Sequence, residues 1–132
     1  MVIDTSALIA MLTRESDAEE YKDAIDRDAK RLMSVASILE TTIVLENRFG
    51  EEGPRELDAL LRRLPIEAVS VDCDQLEWVR YAWRAYGRGH HPAALNFGDC
   101  FSYALAKLTG ERLLYKGADF ARTDITSALE GQ

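Results

Sequence analysis

Four carboxylates occupy comparable points along the chain, each near the start of a predicted helix or turn: Asp4, Glu40, Asp99 and Asp119. Asp4 and Asp119 follow the first and fourth predicted strands, whereas Glu40 and Asp99 lie in the first turns of predicted helices. In a parallel sheet with right-handed crossovers, such points meet at one edge. Converging carboxylates repel one another, and a hard cation such as Mg²⁺ or Mn²⁺ relieves that repulsion. The pattern therefore predicts a metal site.

Two of the four acids also have a purely structural interpretation. Glu40 and Asp99 fit the third position of a capping box behind Ser37 and Asn96, respectively, where acidic residues are favoured. Capping does not explain an acid directly after the first strand or after the fourth. A shared metal site therefore accounts for more of the pattern than helix capping does.

The elements that must position these acids alternate between strand and helix. Strands are predicted at Val2–Ile3, Arg31–Val35, Pro65–Val71 and Arg112–Tyr115, with a weak fifth strand at Thr123–Ile125. Helical patterns fill the intervals between the strands. The chain thus predicts an α/β fold, a three-layer sandwich with a central, mostly parallel sheet of four to five strands. Residues 1–132 are expected to form a single domain.

The composition narrows the classes of function. Sixteen basic and 23 acidic residues give a net charge of −7. This charge argues against passive binding of nucleic acid, but not against a metal-dependent nuclease, because bound cations reverse the local sign. No apolar run reaches the roughly 18 residues of a membrane span, and no signal peptide is apparent. We therefore expect no membrane association, and a cytoplasmic protein with Cys73 and Cys100 reduced.

The segments that carry the four acids resemble those of a known family. They read VIDTSA at Val2–Ala7, SILET at Ser37–Thr41, NFGDC at Asn96–Cys100 and KGADF at Lys116–Phe120. Together, in this order and over nearly the whole chain, they resemble the PIN domain family, and within it the VapC-type toxins of bacterial toxin–antitoxin pairs. The resemblance implies a Mg²⁺- or Mn²⁺-dependent endoribonuclease that cuts structured RNA, such as tRNA or rRNA, and inhibits translation and growth. It also implies a homodimer and a small cognate antitoxin protein that neutralises the toxin.

The resemblance also implies roles for the site residues. Asp4 and Asp99 hold the principal cation, and Asp119 completes its coordination directly or through water. Glu40 holds a second cation or orients the attacking water, and Ser6 is the nearby hydroxyl. Hydrolysis by water would then leave a 3′-hydroxyl and a 5′-phosphate.

The segment around the fourth acid departs from the family pattern. Family members often carry Asn where this chain has Ala118, directly before Asp119. Asp124 is therefore an alternative to Asp119, either as a substitute ligand or as a supporting partner.

Three further residues are candidates for contact with the substrate. Ser6 could donate a hydrogen bond to a carboxylate or to a substrate phosphate. Lys116, beside the fourth acid, meets a phosphate or pairs with a carboxylate. Arg88 lies in a glycine-rich loop with His90 and His91, where it contacts RNA phosphates or solvent.

Two other functions fit part of the pattern. A Mg²⁺-dependent phosphoacceptor signalling domain has a similar small α/β build, but it needs paired acids after the first strand, where Asp4 is followed by Thr5 and Ser6. A catalytically silent PIN-like module would bind RNA or a partner without cleaving RNA. The intact acidic set argues against the silent module.

Overall fold

A computed structural model describes residues 1–129 and shows strands and helices in alternation along the chain. The strands are β1 (Val2–Ile3), β2 (Leu32–Ser34), β3 (Glu67–Val69) and β4 (Leu113–Leu114). The helices are α1 (Thr5–Leu12), α2 (Ala18–Arg27), α3 (Val35–Phe49), α4 (Glu52–Arg63), α5 (Cys73–Tyr86) and α6 (Phe97–Thr109), and Phe120–Arg122 form a short 3₁₀ helix.

The four strands form one parallel sheet in the order β3-β2-β1-β4. Val2 pairs with Leu32 on one side and with Leu113 on the other, which places β1 in the interior of the sheet. The predicted α/β class and parallel sheet are confirmed. Thr123–Ile125 do not form the predicted fifth strand, since within residues 1–129 the only pairing beyond β4 is a single parallel bridge between Leu113 and Ser127.

Helices cover both faces of the sheet, so the fold has three layers. Successive residues of a strand point to opposite faces, and β1, β2 and β4 therefore each contribute to two cores. Val2, Leu32 and Leu113 enter the core beneath α5 and α6, whereas Ile3, Met33 and Leu114 enter the core beneath α1 to α4. Burial on both faces explains why these strands are apolar without alternation.

Helix α3 begins earlier than the sequence suggests. Ser34 is its N-cap, and the Ser34 hydroxyl accepts a hydrogen bond from the backbone N–H of Ala36 at 3.2 Å. The prediction that Ser37 opens this helix was wrong, because the chain turns directly from β2 into α3. Glu40 consequently lies in the second turn of α3 rather than in the first.

Helix length also bears on the membrane prediction. Among residues 1–129, every helix is too short or too polar to cross a membrane.

Candidate active site

Asp4 lies at the carboxyl end of β1, in the interior of the sheet, with only 3% of its surface exposed. Its backbone N–H donates to the carbonyl of Leu114 at 2.9 Å, which continues the β1–β4 ladder. Its carboxylate caps α1: Oδ2 accepts from the backbone N–H of Ser6 at 3.0 Å and from the Ser6 hydroxyl at 2.6 Å. The strand and the helix together therefore hold this carboxylate in one orientation.

The second oxygen of Asp4 is held by α6. The hydroxyl of Ser102 donates to Asp4 Oδ1 at 2.5 Å, and the Ser102 oxygen lies 3.2 Å from the hydroxyl of Ser37 in α3. Both serines are almost completely buried. Sequence reasoning gave Ser37 and Ser102 no role in the predicted site, although their spacing from the acids was a usable signal. Ser102 follows Asp99 by three residues and Ser37 precedes Glu40 by three, a spacing that places each serine on the same helix face as its acid.

Asp99 forms the predicted capping box at the start of α6. Its backbone N–H donates to Oδ1 of Asn96 at 2.9 Å, and its own Oδ2 accepts from the backbone N–H of Asn96 at 3.0 Å. Burial raises the pKa of Asp99 to about 7, against an opposing effect of the Asn96 N–H, and repulsion from three further acids adds to the rise: Asp4, Asp119 and Glu40. The fold therefore brings Asp4, Asp119 and Glu40 close enough for their charges to act on Asp99.

Glu40 reaches this cluster from α3 and lies against the backbone of Gly98 in α6. A Cβ atom at Gly98 would collide with Oε2 of Glu40, so this close approach requires glycine. Burial and the charge of Asp4 raise the pKa of Glu40, and the hydroxyl of Thr5 opposes the rise. A carboxylate with a raised pKa is suited to accept a proton.

The two candidates for the fourth acid lie in different environments. Asp119 is exposed at the start of the 3₁₀ helix, near enough to Asp99 to raise its pKa. Asp124 instead accepts hydrogen bonds from the Tyr103 hydroxyl at 2.8 Å and from Lys107 Nζ at 2.7 Å. Burial opposes their effect, yet these two donors keep the pKa of Asp124 below its usual value. Asp119, rather than Asp124, belongs with the other acids.

The predicted substrate contacts fall in three separate places. Ser6 lies within the acidic site, where its hydroxyl also accepts from the backbone N–H of Lys116 at 3.0 Å. The ammonium of Lys116 points away to Glu15 and Asp17, at 2.6 and 3.1 Å. Arg88 lies in a groove beside α5.

The donor set has the chemistry of a site for a hard cation. It contains four carboxylates, and burial together with the charges of the other three acids raises the pKa of Asp99 to about 7. As the side chains stand, no three His, Cys, Asp or Glu residues among residues 1–129 are close enough together to hold a metal ion. Asp4 directs both oxygens to hydroxyls, and Asp99 directs one oxygen to its cap. Carboxylate chemistry thus fits a divalent cation, while the ligands are not gathered around one point.

Comparison with known proteins supports a nuclease. Residues 1–125 match the PIN domain family. The chain is 57% identical over 127 residues to ribonuclease VapC30 of Mycobacterium tuberculosis, a match that covers 96% of this chain and 97% of the relative. It is equally identical, over the same length, to ribonuclease VapC of Mycolicibacterium smegmatis, with 96% and 98% covered.

Solved structures share the fold at lower identity. VapC20 of Mycobacterium tuberculosis, described as a toxin that cleaves the sarcin-ricin loop, superposes with a TM-score of 0.74, 17% identity and 95% of both chains covered. A toxin–antitoxin complex from Klebsiella pneumoniae gives a TM-score of 0.72 at 17% identity, with 93% and 92% covered. Both similarities confirm the architecture.

The raised pKa of Asp99 predicts a pH-dependent stability. Because the folded pKa of about 7 exceeds the unfolded value of 3.8, Asp99 destabilises the fold increasingly as the pH rises from about 4 to 7. In the presence of chelator, Asp99→Asn should melt a few degrees above wild type at about pH 8 and level with it at about pH 4. The asparagine oxygen can still accept from Asn96, so the capping box is kept.

Asp124→Asn is the matched control with the opposite sign. The pKa of Asp124 is lowered in the fold, so its charge stabilises the protein above the unfolded pKa, and this variant should melt below wild type at about pH 8. Equal melting curves for wild type and Asp99→Asn across this pH range would show that the fold does not raise the pKa of Asp99.

The Ser102 hydroxyl predicts a cost in stability. Ser102→Ala leaves Oδ1 of the buried Asp4 without this donor, and the free energy of unfolding should fall by about 1–3 kcal/mol. Urea unfolding measures the change. Ser70→Ala, at an exposed serine, is the control and should change stability by less than about 0.5 kcal/mol. An equally small change for Ser102→Ala would mean that Asp4 does not depend on this contact.

Proposed function

The chain belongs to the PIN domain family as a VapC-type toxin ribonuclease, and we propose that the four clustered acids are its active site for metal-assisted hydrolysis of RNA. One observation carries this proposal: α6 contacts two of the other acids, since its Ser102 donates to Asp4 and its Gly98 lies against Glu40. Asp99 is in the same helix, near enough to Asp4, Asp119 and Glu40 for their charges to raise its pKa. Membership of this family leaves the phosphoacceptor signalling domain without support.

Each acid has a distinct part in the proposed mechanism. Asp4 and Asp99 bind Mg²⁺ or Mn²⁺, with Asp119 completing the coordination directly or through water. When bound, the cation lowers the pKa of a water molecule and offsets the negative charge that develops on the phosphate oxygens. Ser6 and Ser102 keep the Asp4 carboxylate oriented, since their hydroxyls already hold both of its oxygens.

Glu40 is suited to accept a proton from the attacking water molecule. Its raised pKa favours accepting a proton from the attacking water, which then adds to phosphorus. The bond from phosphorus to the 3′-oxygen breaks, and this oxygen takes up a proton from solvent. The products would carry a 3′-hydroxyl and a 5′-phosphate. Glu40 could alternatively hold a second cation, a role that would also place its carboxylate beside the scissile phosphate.

The cellular role follows from the toxin family. We infer that the substrate is a structured RNA such as tRNA or rRNA, that its cleavage in the cytoplasm stops translation and growth, and that a small cognate antitoxin neutralises the enzyme. A homodimer is supported by an exposed apolar strip on α3, where Val35, Leu39 and Ile43 follow one another at helical spacing with 42%, 60% and 49% of their surfaces exposed.

Loss of single acids tests the active site. Purified protein free of antitoxin, incubated with total bacterial RNA and Mg²⁺ or Mn²⁺, should cut a few defined positions, and EDTA should abolish the cuts. Removing a group that only supports a metal ligand lowers activity about 10–100-fold. Asp4→Asn and Asp99→Asn remove the proposed ligands themselves, so each should lower the cleavage rate by at least about a hundredfold. Sequencing the fragment ends identifies the RNA and the cleaved bond.

Asp124→Asn is the control for these losses, because Asp124 lies outside the acidic cluster, and it should keep wild-type activity. Cleavage that persists in EDTA, or in Asp4→Asn, would contradict the proposed metal site. Binding of RNA with no cleavage under any metal would instead favour the silent PIN-like module.

The contact between Glu40 and Gly98 gives an independent test. The Cβ of Gly98→Ala would displace the Glu40 carboxylate, and misplacement of a catalytic group by about 1 Å costs on the order of a hundredfold. Cleavage by Gly98→Ala should therefore fall by about ten- to a hundredfold, with an unchanged melting temperature. If displacement of Glu40 is the cause, adding Gly98→Ala to Glu40→Gln should lower the rate no further. An additional loss in the double variant would point to some other defect.

A further inference from the structure

An open groove of about 530 Å³ lies between the C-terminal half of α5 and the start of α6. Its lining combines three arginines with two aromatic rings and a cysteine: Arg80, Arg84, Arg88, Trp83, Phe97 and Cys100. None of the four acids of the active site lines this groove. It is therefore a second surface feature with its own chemistry.

The arginines concentrate positive charge on a protein whose net charge is −7. Arg84 and Arg88 form no ion pair with any residue from 1 to 129, and Arg80 approaches only Glu77, at 3.8 Å. Arg80 and Arg84 are four residues apart on α5, which places them on one face of the helix about 6 Å apart along its axis. This spacing suits successive phosphates of an extended strand.

Two aromatic rings stand beside these arginines. Phe97 is 80% exposed. Within residues 1–129, the one aromatic ring that pairs with it is Phe101, in an edge-on arrangement with the ring centroids 5.0 Å apart. Trp83 is 43% exposed. Arginines interleaved with exposed aromatic rings are typical of surfaces that bind single-stranded nucleic acid, where cations meet phosphates and rings stack on bases.

The groove and the acidic cluster meet at the start of α6. Asn96 lines the groove, and it also exchanges two hydrogen bonds with Asp99. Cys100, another lining residue, directly follows Asp99 in the helix. The groove therefore borders the acidic cluster along the first turn of α6.

We propose that this groove binds a single-stranded segment of the RNA substrate beside the cleaved bond. Arg84 and Arg88 bind its phosphates, and Phe97 and Trp83 stack on its bases. The inference rests on the proposed ribonuclease site, because continuity with that site distinguishes RNA from an acidic protein segment as the occupant. It assigns to the groove the selection of RNA by single-stranded flanking sequence.

Equilibrium binding of a fluorescent single-stranded 12-nucleotide RNA tests the proposal. The full-length protein carries Asp4→Asn throughout, so the RNA stays intact, and affinity is measured over a range of salt concentrations. Each phosphate contact contributes about −0.7 to the slope of log affinity against log salt, so Arg84→Ala with Arg88→Ala should make the slope shallower by about 1.4. Phe97→Ala should weaken binding about tenfold and leave the slope unchanged.

Arg62→Ala with Arg63→Ala is the matched control. These two exposed arginines lie at the end of α4, form no ion pair with the described residues, and their removal changes the net charge equally. The control should bind RNA as the Asp4→Asn protein does. Equal slopes and affinities for the groove variant and this control would overturn the proposal, and tighter binding of an oligoglutamate peptide than of the RNA would assign the groove to an acidic protein segment.

Cleavage assays on the protein with Asp4 intact test the ribonuclease site separately from RNA binding in the groove. If it cuts RNA while the groove variant binds as the control does, the ribonuclease site stands and the groove inference is wrong. If it neither cuts nor binds RNA, both are wrong. Melting temperatures of all variants within a few degrees of wild type exclude unfolding as the cause of any loss.

Discussion

The burial of carboxylates at one edge of the sheet, to which their mutual repulsion adds, is the constraint on which the rest of the site depends. A carboxyl group with a pKa near 7 is held in the fold at a cost, and the surrounding elements supply the interactions that offset it. Asp4 receives donors from α1 and α6, and Asp99 receives a backbone N–H from its own cap. The proposed active site is thus held by contacts that α1 and α6 make with the end of β1, and the parallel sheet brings the strand ends together.

The main elements of this arrangement were predictable because each has a local cause. β1 is apolar in consecutive positions, as a strand buried on both faces must be, and Asp4 ends it. Asn96 and Asp99 have the spacing of a capping box, and the structure contains that box. Parallel topology then follows from alternation of strands and helices, and with it the convergence of acids that are far apart in sequence.

Contacts between elements were not predictable, because they depend on how the helices pack. The bond from Ser102 to Asp4 joins residues 98 positions apart, and only the docking of α6 on β1 creates it. Likewise, Glu40 was placed one turn too early, since Ser34 and Ser37 are both acceptable caps and the length of β2 decides between them. Helix α5 shows the same dependence on packing: Leu76 and Trp83 remain 47% and 43% exposed, whereas Gln75 and Ala82 are buried.

The first turn of α6 borders both the acidic cluster and the arginine groove. Adjacent residues of a helix point about 100° apart, so the first turn of α6 can present Asp99 to the acids and Cys100 to the arginine groove. The acidic cluster and the arginine groove therefore adjoin the same turn of helix, yet their opposite charges lie on different sides of it. Negative charge collects at the proposed metal site, and positive charge collects in the groove that we propose binds phosphates away from the reacting bond. Net charge alone is then a poor guide to RNA binding, because what matters is the sign of the surface that each phosphate meets.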